Sequence, residues 1–146
     1  MRVTIHRSPT LEAASLALVR DAGLGPLLRS SGDLLGVPTR AGLAVRVTDD
    51  DELRRLNRLY AGLDAATDVL AFPGDGREWV GDVAISVERA GAQHPAAPAE
   101  ELRLLAVHGL LHCLGHDHDE PGPAAAMTAE TRRLLPGQDV PDLAPH

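Results

Sequence analysis

The sequence predicts an α+β fold, a small mixed sheet packed with helices around one buried helix, in a single domain. Three observations lead there. Short alternating segments and helical stripes mix without the regular alternation of a parallel α/β protein. One helical segment around residue 108 is apolar on nearly every face, which marks a buried helix. At 146 residues the chain is long enough for one core and shows no second domain.

The elements follow in order. Val3–Arg7 (VTIHR) alternates with β-branched residues and reads as a strand. Leu11, Ala14, Leu16, Leu18 and Val19 then form a helical stripe that breaks near Gly23 or Gly25. GVPTRAG is a turn-rich connection to a second strand, Leu43–Thr48. DDDELRRLNRLYAG opens with acidic residues suited to a helix N-terminus and stops at Gly62. TDVLAFP and GDVAISV are short apolar strands joined as a hairpin. PAEELRLLAVHGLLHCLG is the buried helix, with Glu100 and Glu101 in its first turn and Gly115 as its left-handed exit. A loop, HDHDEPGPAAA, leads to a short helix near Met127–Leu135. The domain is expected over residues 1–135, with 136–146 a Pro-punctuated, flexible tail.

Composition narrows the function. Hydrophobic residues make up 44% of the chain but aromatics only 2%, so the core is aliphatic. The single cysteine, Cys113, excludes an internal disulfide and any zinc site needing several thiolates. No basic leader precedes an apolar stretch and no run reaches membrane-spanning length, so a cytoplasmic protein without a membrane partner is expected. The net charge is −7 and all 14 basic residues are Arg. That balance opposes a broad electrostatic footprint for nucleic acid and leaves room for a local Arg-lined groove.

HGLLHCLGHDH (residues 108–118) holds four of the seven histidines. His108 and His112, four residues apart on a helix, put both rings on one face. Gly115 tolerates the positive φ of a chain reversal, which returns His118 toward the same point. Three imidazoles and a vacant position form the catalytic type of zinc site. His116 is the alternative third ligand, though it leaves little chain in which to turn. Zn2+ suits the set, one ion per chain, and other first-row divalent ions accept similar ligands. Cys113, about 100° round the helix from His112, reads as a core residue. Asp117 and Asp119 are either acceptors that orient a ring N–H or exposed loop carboxylates. The metzincin protease pattern, H-E-x-x-H-x-x-G-x-x-H, is met except that Gly109 replaces its general-base Glu, which weakens a protease reading.

Residues 108–118 resemble the signature of the YbeY family of metal-dependent endoribonucleases, H-G-x-L-H-L-x-G-aromatic-D-H, through His108, Gly109, Leu111, His112, Gly115, Asp117 and His118. Upstream, Leu56, Asn57, Thr67, Asp68, Val69, Leu70, Phe72 and Pro73, read against the family's T-D-V-L-S-F-P, extend the similarity. So do Gly81–Ser86, Met127 and Glu130, and together they cover roughly residues 43 to 135. The resemblance implies a zinc ion on His108, His112 and His118 and cleavage of single-stranded RNA. It implies maturation of ribosomal RNA, especially the 3′ end of the small-subunit RNA, and ribosome quality control, with the ribosome or ribosomal proteins as partners.

The chain departs from the family at Ala61, where an Arg usually follows the tyrosine. Such an Arg pairs its planar fork with phosphate oxygens. Arg58, three residues before Ala61, is the candidate substitute, against a plain solvated surface Arg. Arg54 and Arg55 read as a salt-bridged helix face or as phosphate contacts. Asp68 is a proton-transfer candidate if its strand lies beside the His108 helix, and otherwise a turn residue. Three readings compete: a metal-dependent RNA hydrolase, a metzincin-like metalloprotease, and a ribosome-associated factor with a non-catalytic metal.

Overall fold

Three strands run parallel: β1 (Arg2–Arg7), β2 (Gly42–Thr48) and β4 (Trp79–Ser86). β3 (Val69–Pro73) pairs antiparallel with β4, giving a mixed sheet of order β1-β2-β4-β3 in a single α+β domain. The structure is a computed structural model describing residues 1–145. Alternation builds the sheet's two faces. Leu43, Val45 and Val47 of β2 are buried on one side, whereas Ala44 and Arg46 on the other are half-covered.

The buried face carries α1 (Ala13–Ala22), α2 (Leu24–Leu34), α4 (Val87–Gln93) and α5 (Pro98–Cys113). α1 and α2 arise from one apolar stripe broken at Gly23, whose φ of +61° is the left-handed conformation glycine allows. α5 lies centrally: Leu102 and Leu110 join the sheet core. Its Val107 and Leu111 join a second cluster with Met127 and Leu134 of α6 (Pro121–Leu134).

α3 (Asp50–Ala61) lies on the opposite side of the sheet, tied to it by the ion pair of Arg46 with Glu52. Asp49 caps it, accepting the Glu52 N–H at 2.9 Å and the Thr10 hydroxyl at 2.7 Å. These bonds, the Glu52 amide first, hold the Asp49 carboxyl below the usual carboxylate range. Its stabilisation is therefore present above the unfolded pKa of about 4 and lost as pH falls through the lower folded value. Asp49→Ala is expected to cost about 1 kcal/mol and about 2–4 °C of melting temperature at pH 7. The gap to wild type should shrink at pH 3, and identical melting at pH 7 would remove the cap from the account.

Three elements differ from expectation. α4 follows β4 directly because Ser86, the last strand residue, accepts the Arg89 N–H and starts a helix. α6 begins six residues earlier than Met127, since Pro121 occupies the first turn, where proline's missing N–H costs nothing. The stretch after Leu135 is laid against α5 and α6 rather than hanging free. Val140 is buried, its carbonyl accepts two Arg132 guanidinium N–H groups, and the Leu143 N–H bonds the Thr128 hydroxyl oxygen. Val140 and Leu143 among the prolines supply the apolar contacts that dock it.

Candidate metal centre

The last two turns of α5 and the reversal after them build the site. His108 and His112 stack on one face, their Nε2 atoms 2.9 Å apart. Beyond Leu114 the helix closes with paired bonds, Gly115 N–H to His112 O and His116 N–H to Leu111 O, both at 3.0 Å. Gly115 takes φ +96°, and the chain doubles back. Asp117 steadies the next step by accepting the His118 N–H at 2.7 Å. The His118 ring arrives 5.4 Å, centroid to centroid, from each of the other two. One nitrogen from each ring lies within 4.8 Å of the others, and all three residues are half-buried.

This donor set fits a divalent ion. His112 Nδ1 lies 2.9 Å from the His116 carbonyl oxygen. A carbonyl only accepts, so Nδ1 carries the proton and Nε2 turns its lone pair inward. Burial lowers the His112 pKa, favouring the neutral imidazole that ligation requires. Two ring nitrogens at 2.9 Å need a shared proton or a cation between them.

β3 supplies the facing wall. Thr67, Asp68, Val69 and Ala71 line a hollow over the three rings. The hollow continues past His108 toward Leu104 and Leu105, and past His112 toward Pro73 and Asp117. β3 is an edge strand. Its register, with Ser86 N–H bonding Asp68 O and Gly74 N–H bonding Val80 O, turns the alternate residues Val69 and Ala71 outward. Their backbone groups face the free edge.

The structure thus gathers His108, His112 and His118 and leaves the His116 ring outside the cluster, with the His116 backbone carbonyl serving His112. Cys113 is a core residue, its thiol pushed up to about 11 mainly by burial. Asp117 serves the backbone, and Asp119 is exposed. Asp68 does lie beside the histidine helix, with one carboxylate oxygen accepting from Gln93 Nε2 at 3.2 Å. Arg58 is exposed on α3 and lines none of these hollows. Arg54 pairs with Asp64 at 2.7 Å and Arg55 with Glu52 at 3.4 Å, the salt-bridged arrangement. Glu101 and the stretch from Val140 to Leu143 also line the groove. Glu101 was visible in principle, seven residues before His108 on the same helix face. The terminal stretch carries no such signal.

Fold and site together define an α+β domain with a three-histidine centre capable of holding a metal, set in a groove between a buried helix and a sheet edge. The family model described as Endoribonuclease YbeY matches residues 24–137. The chain belongs to that family. A protein from Chloroflexus aurantiacus described as Endoribonuclease YbeY is 44% identical, over 66% of this chain and 71% of its own. One from Moorella thermoacetica with the same description is 37% identical, over 78% and 83%. The solution structure of TM1509 from Thermotoga maritima shares the fold with a TM-score of 0.59 at 22% identity, over 90% of this chain and 87% of its own.

Proposed function

We propose that this protein is a metal-dependent endoribonuclease that cuts single-stranded RNA in the maturation of ribosomal RNA. Its place would be at the 3′ end of the small-subunit RNA and in ribosome quality control, in the cytoplasm and in contact with the ribosome. The observation that carries the reading is the convergence of three imidazoles at the floor of an open groove, in a chain of an endoribonuclease family. No helix among the described residues is long and apolar enough to cross a membrane.

His108, His112 and His118 would hold one ion, zinc by the chemistry of three neutral nitrogens. Bound there, the ion supplies Lewis acidity at the phosphodiester. The His116 carbonyl keeps His112 in the tautomer that faces the groove. Asp68, held by Gln93 on the facing wall, is the carboxylate beside the rings and the group suited to take up a proton during attack. Purified, metal-loaded protein is expected to cut single-stranded RNA and leave casein intact. Casein cleavage without RNA cleavage would replace this reading with a metalloprotease.

Arg58, exposed on α3 outside the hollows over the rings, is the candidate for a phosphate farther along the strand, in place of the arginine usual in the family at position 61. Arg58→Ala is then expected to raise KM for RNA about 3- to 10-fold and reduce the salt dependence by about one charge. Unchanged KM and salt slope would make Arg58 a solvated surface residue.

A further inference from the structure

Past His108 the groove deepens into a cavity of about 140 Å3, smaller than the roughly 300–1,000 Å3 of a drug-sized ligand site. Leu104 and Leu105 of α5, with Val140 and Leu143 of the terminal stretch, make its walls mostly apolar. Its two hydroxyls are already engaged. Thr128 donates to the Ala124 carbonyl at 2.9 Å and accepts the Leu143 N–H, and Thr131 donates to the Met127 carbonyl at 2.7 Å. The charged acceptors are carboxylates: Asp68 at the shared mouth and Glu101 farther along, each with Gln93 as a neighbouring donor and with oxygen lone pairs to spare.

No Lys or Arg lines this cavity, and the hollow beyond it adds Glu100 and Asp139 beside His94. A phosphate there would meet two carboxylates and apolar walls with no Lys or Arg to pair with, so the backbone is expected to leave the surface at this point. An uncharged, flat, apolar group with N–H donors on its edge fits instead. Adenine, cytosine and guanine each carry an exocyclic amine, whereas uracil's one edge donor, N3–H, sits between two carbonyl oxygens that a carboxylate would repel. We infer that this cavity receives one nucleobase bearing an exocyclic amine, adjacent to the bond that is cut, with Glu101 accepting from the amine. The inference rests on RNA being the substrate, since His108 belongs to both the cavity and the histidine cluster. Burial raises the Glu101 pKa and disfavours its charge, so an added N–H donor would be welcome there.

Two measurements test it. In the first, metal-loaded, 15N-labelled protein is titrated with cytidine, adenosine and uridine. Amide shifts at Thr128, Thr131 and Leu143 are expected, with cytidine and adenosine binding about fivefold or more tighter than uridine. In the second, RNA oligonucleotides randomised around the cut are sequenced after cleavage. Wild type should favour an amine-bearing base at one flanking position, and Glu101→Gln, whose amide both donates and accepts, should lose that bias while still cutting uridine substrates. Cleavage without base bias and without these shifts overturns the inference and leaves the endoribonuclease reading standing. A bias that survives Glu101→Gln overturns the assignment to this cavity. Selective shifts without cleavage of any RNA would uphold the cavity and sink the endoribonuclease reading, and neither shifts nor cleavage would sink both.

Discussion

Replacing His112 with alanine is expected to abolish RNA cleavage and release the metal, without unfolding the protein. The ring is half-buried at the end of α5, with the main apolar packing of that helix lying on its other faces. Zinc binding of about 10–16 kcal/mol in four-ligand sites amounts to roughly 3–4 kcal/mol per ligand, so losing one imidazole removes about that much. That is roughly a hundred- to a thousandfold in metal affinity. Metal content after dialysis, cleavage rate and circular dichroism read the three effects separately. His116→Ala is the contrasting case. Its backbone carbonyl, which orients His112, is kept, so cleavage should stay close to wild type. A His112→Ala protein that retains its metal and cuts RNA normally would place the chemistry elsewhere.

Gly109→Ala should be among the most damaging conservative changes in the chain. A Cβ at Gly109 would lie 2.5 Å from Val83 Cγ1 and 3.0 Å from its Cγ2, in the core between α5 and β4. Overpacking of this kind costs about 1–3 kcal/mol, or roughly 3–10 °C of melting temperature. Gly109→Glu adds a buried carboxylate to the same clash and should not fold cooperatively. Pairing Gly109→Ala with Val83→Ala should restore part of the loss, because the two side chains compete for one space. A single Gly109→Ala variant that melts with wild type would refute the close approach. The glycine also changes how the protease-like pattern is read. Position 109 lies against Val83 of the sheet, which leaves no room there for a glutamate side chain.

The parts of the protein written in local pattern are legible in the sequence. The buried helix declared itself by being apolar all round, α3 by its acidic start and Gly62, and the three ligand candidates by spacing around Gly115. What stayed hidden depends on contacts distant in sequence. Nothing near Leu43 reveals that it pairs parallel with both Val3 and Gly81, and that pairing leaves β3 at the edge beside the histidines. The start of α6 was masked because Pro121 and Pro123 read as loop punctuation, although the first helical turn accepts proline. The packing of Val140 depends on Leu111 and Met127, which composition alone cannot connect to it.

That docked terminal stretch bears on how the protein is best prepared. Trimming it at Leu135, the boundary its prolines suggest, would uncover Leu111 and Met127 and strip Arg132 of the carbonyl it clasps. The shortened product should be prone to self-association and faster amide exchange in α6. A bulky fusion placed close behind Leu143 risks prying open the same seam, so residues 136–143 are better treated as a hem stitched to the domain than as a loose thread.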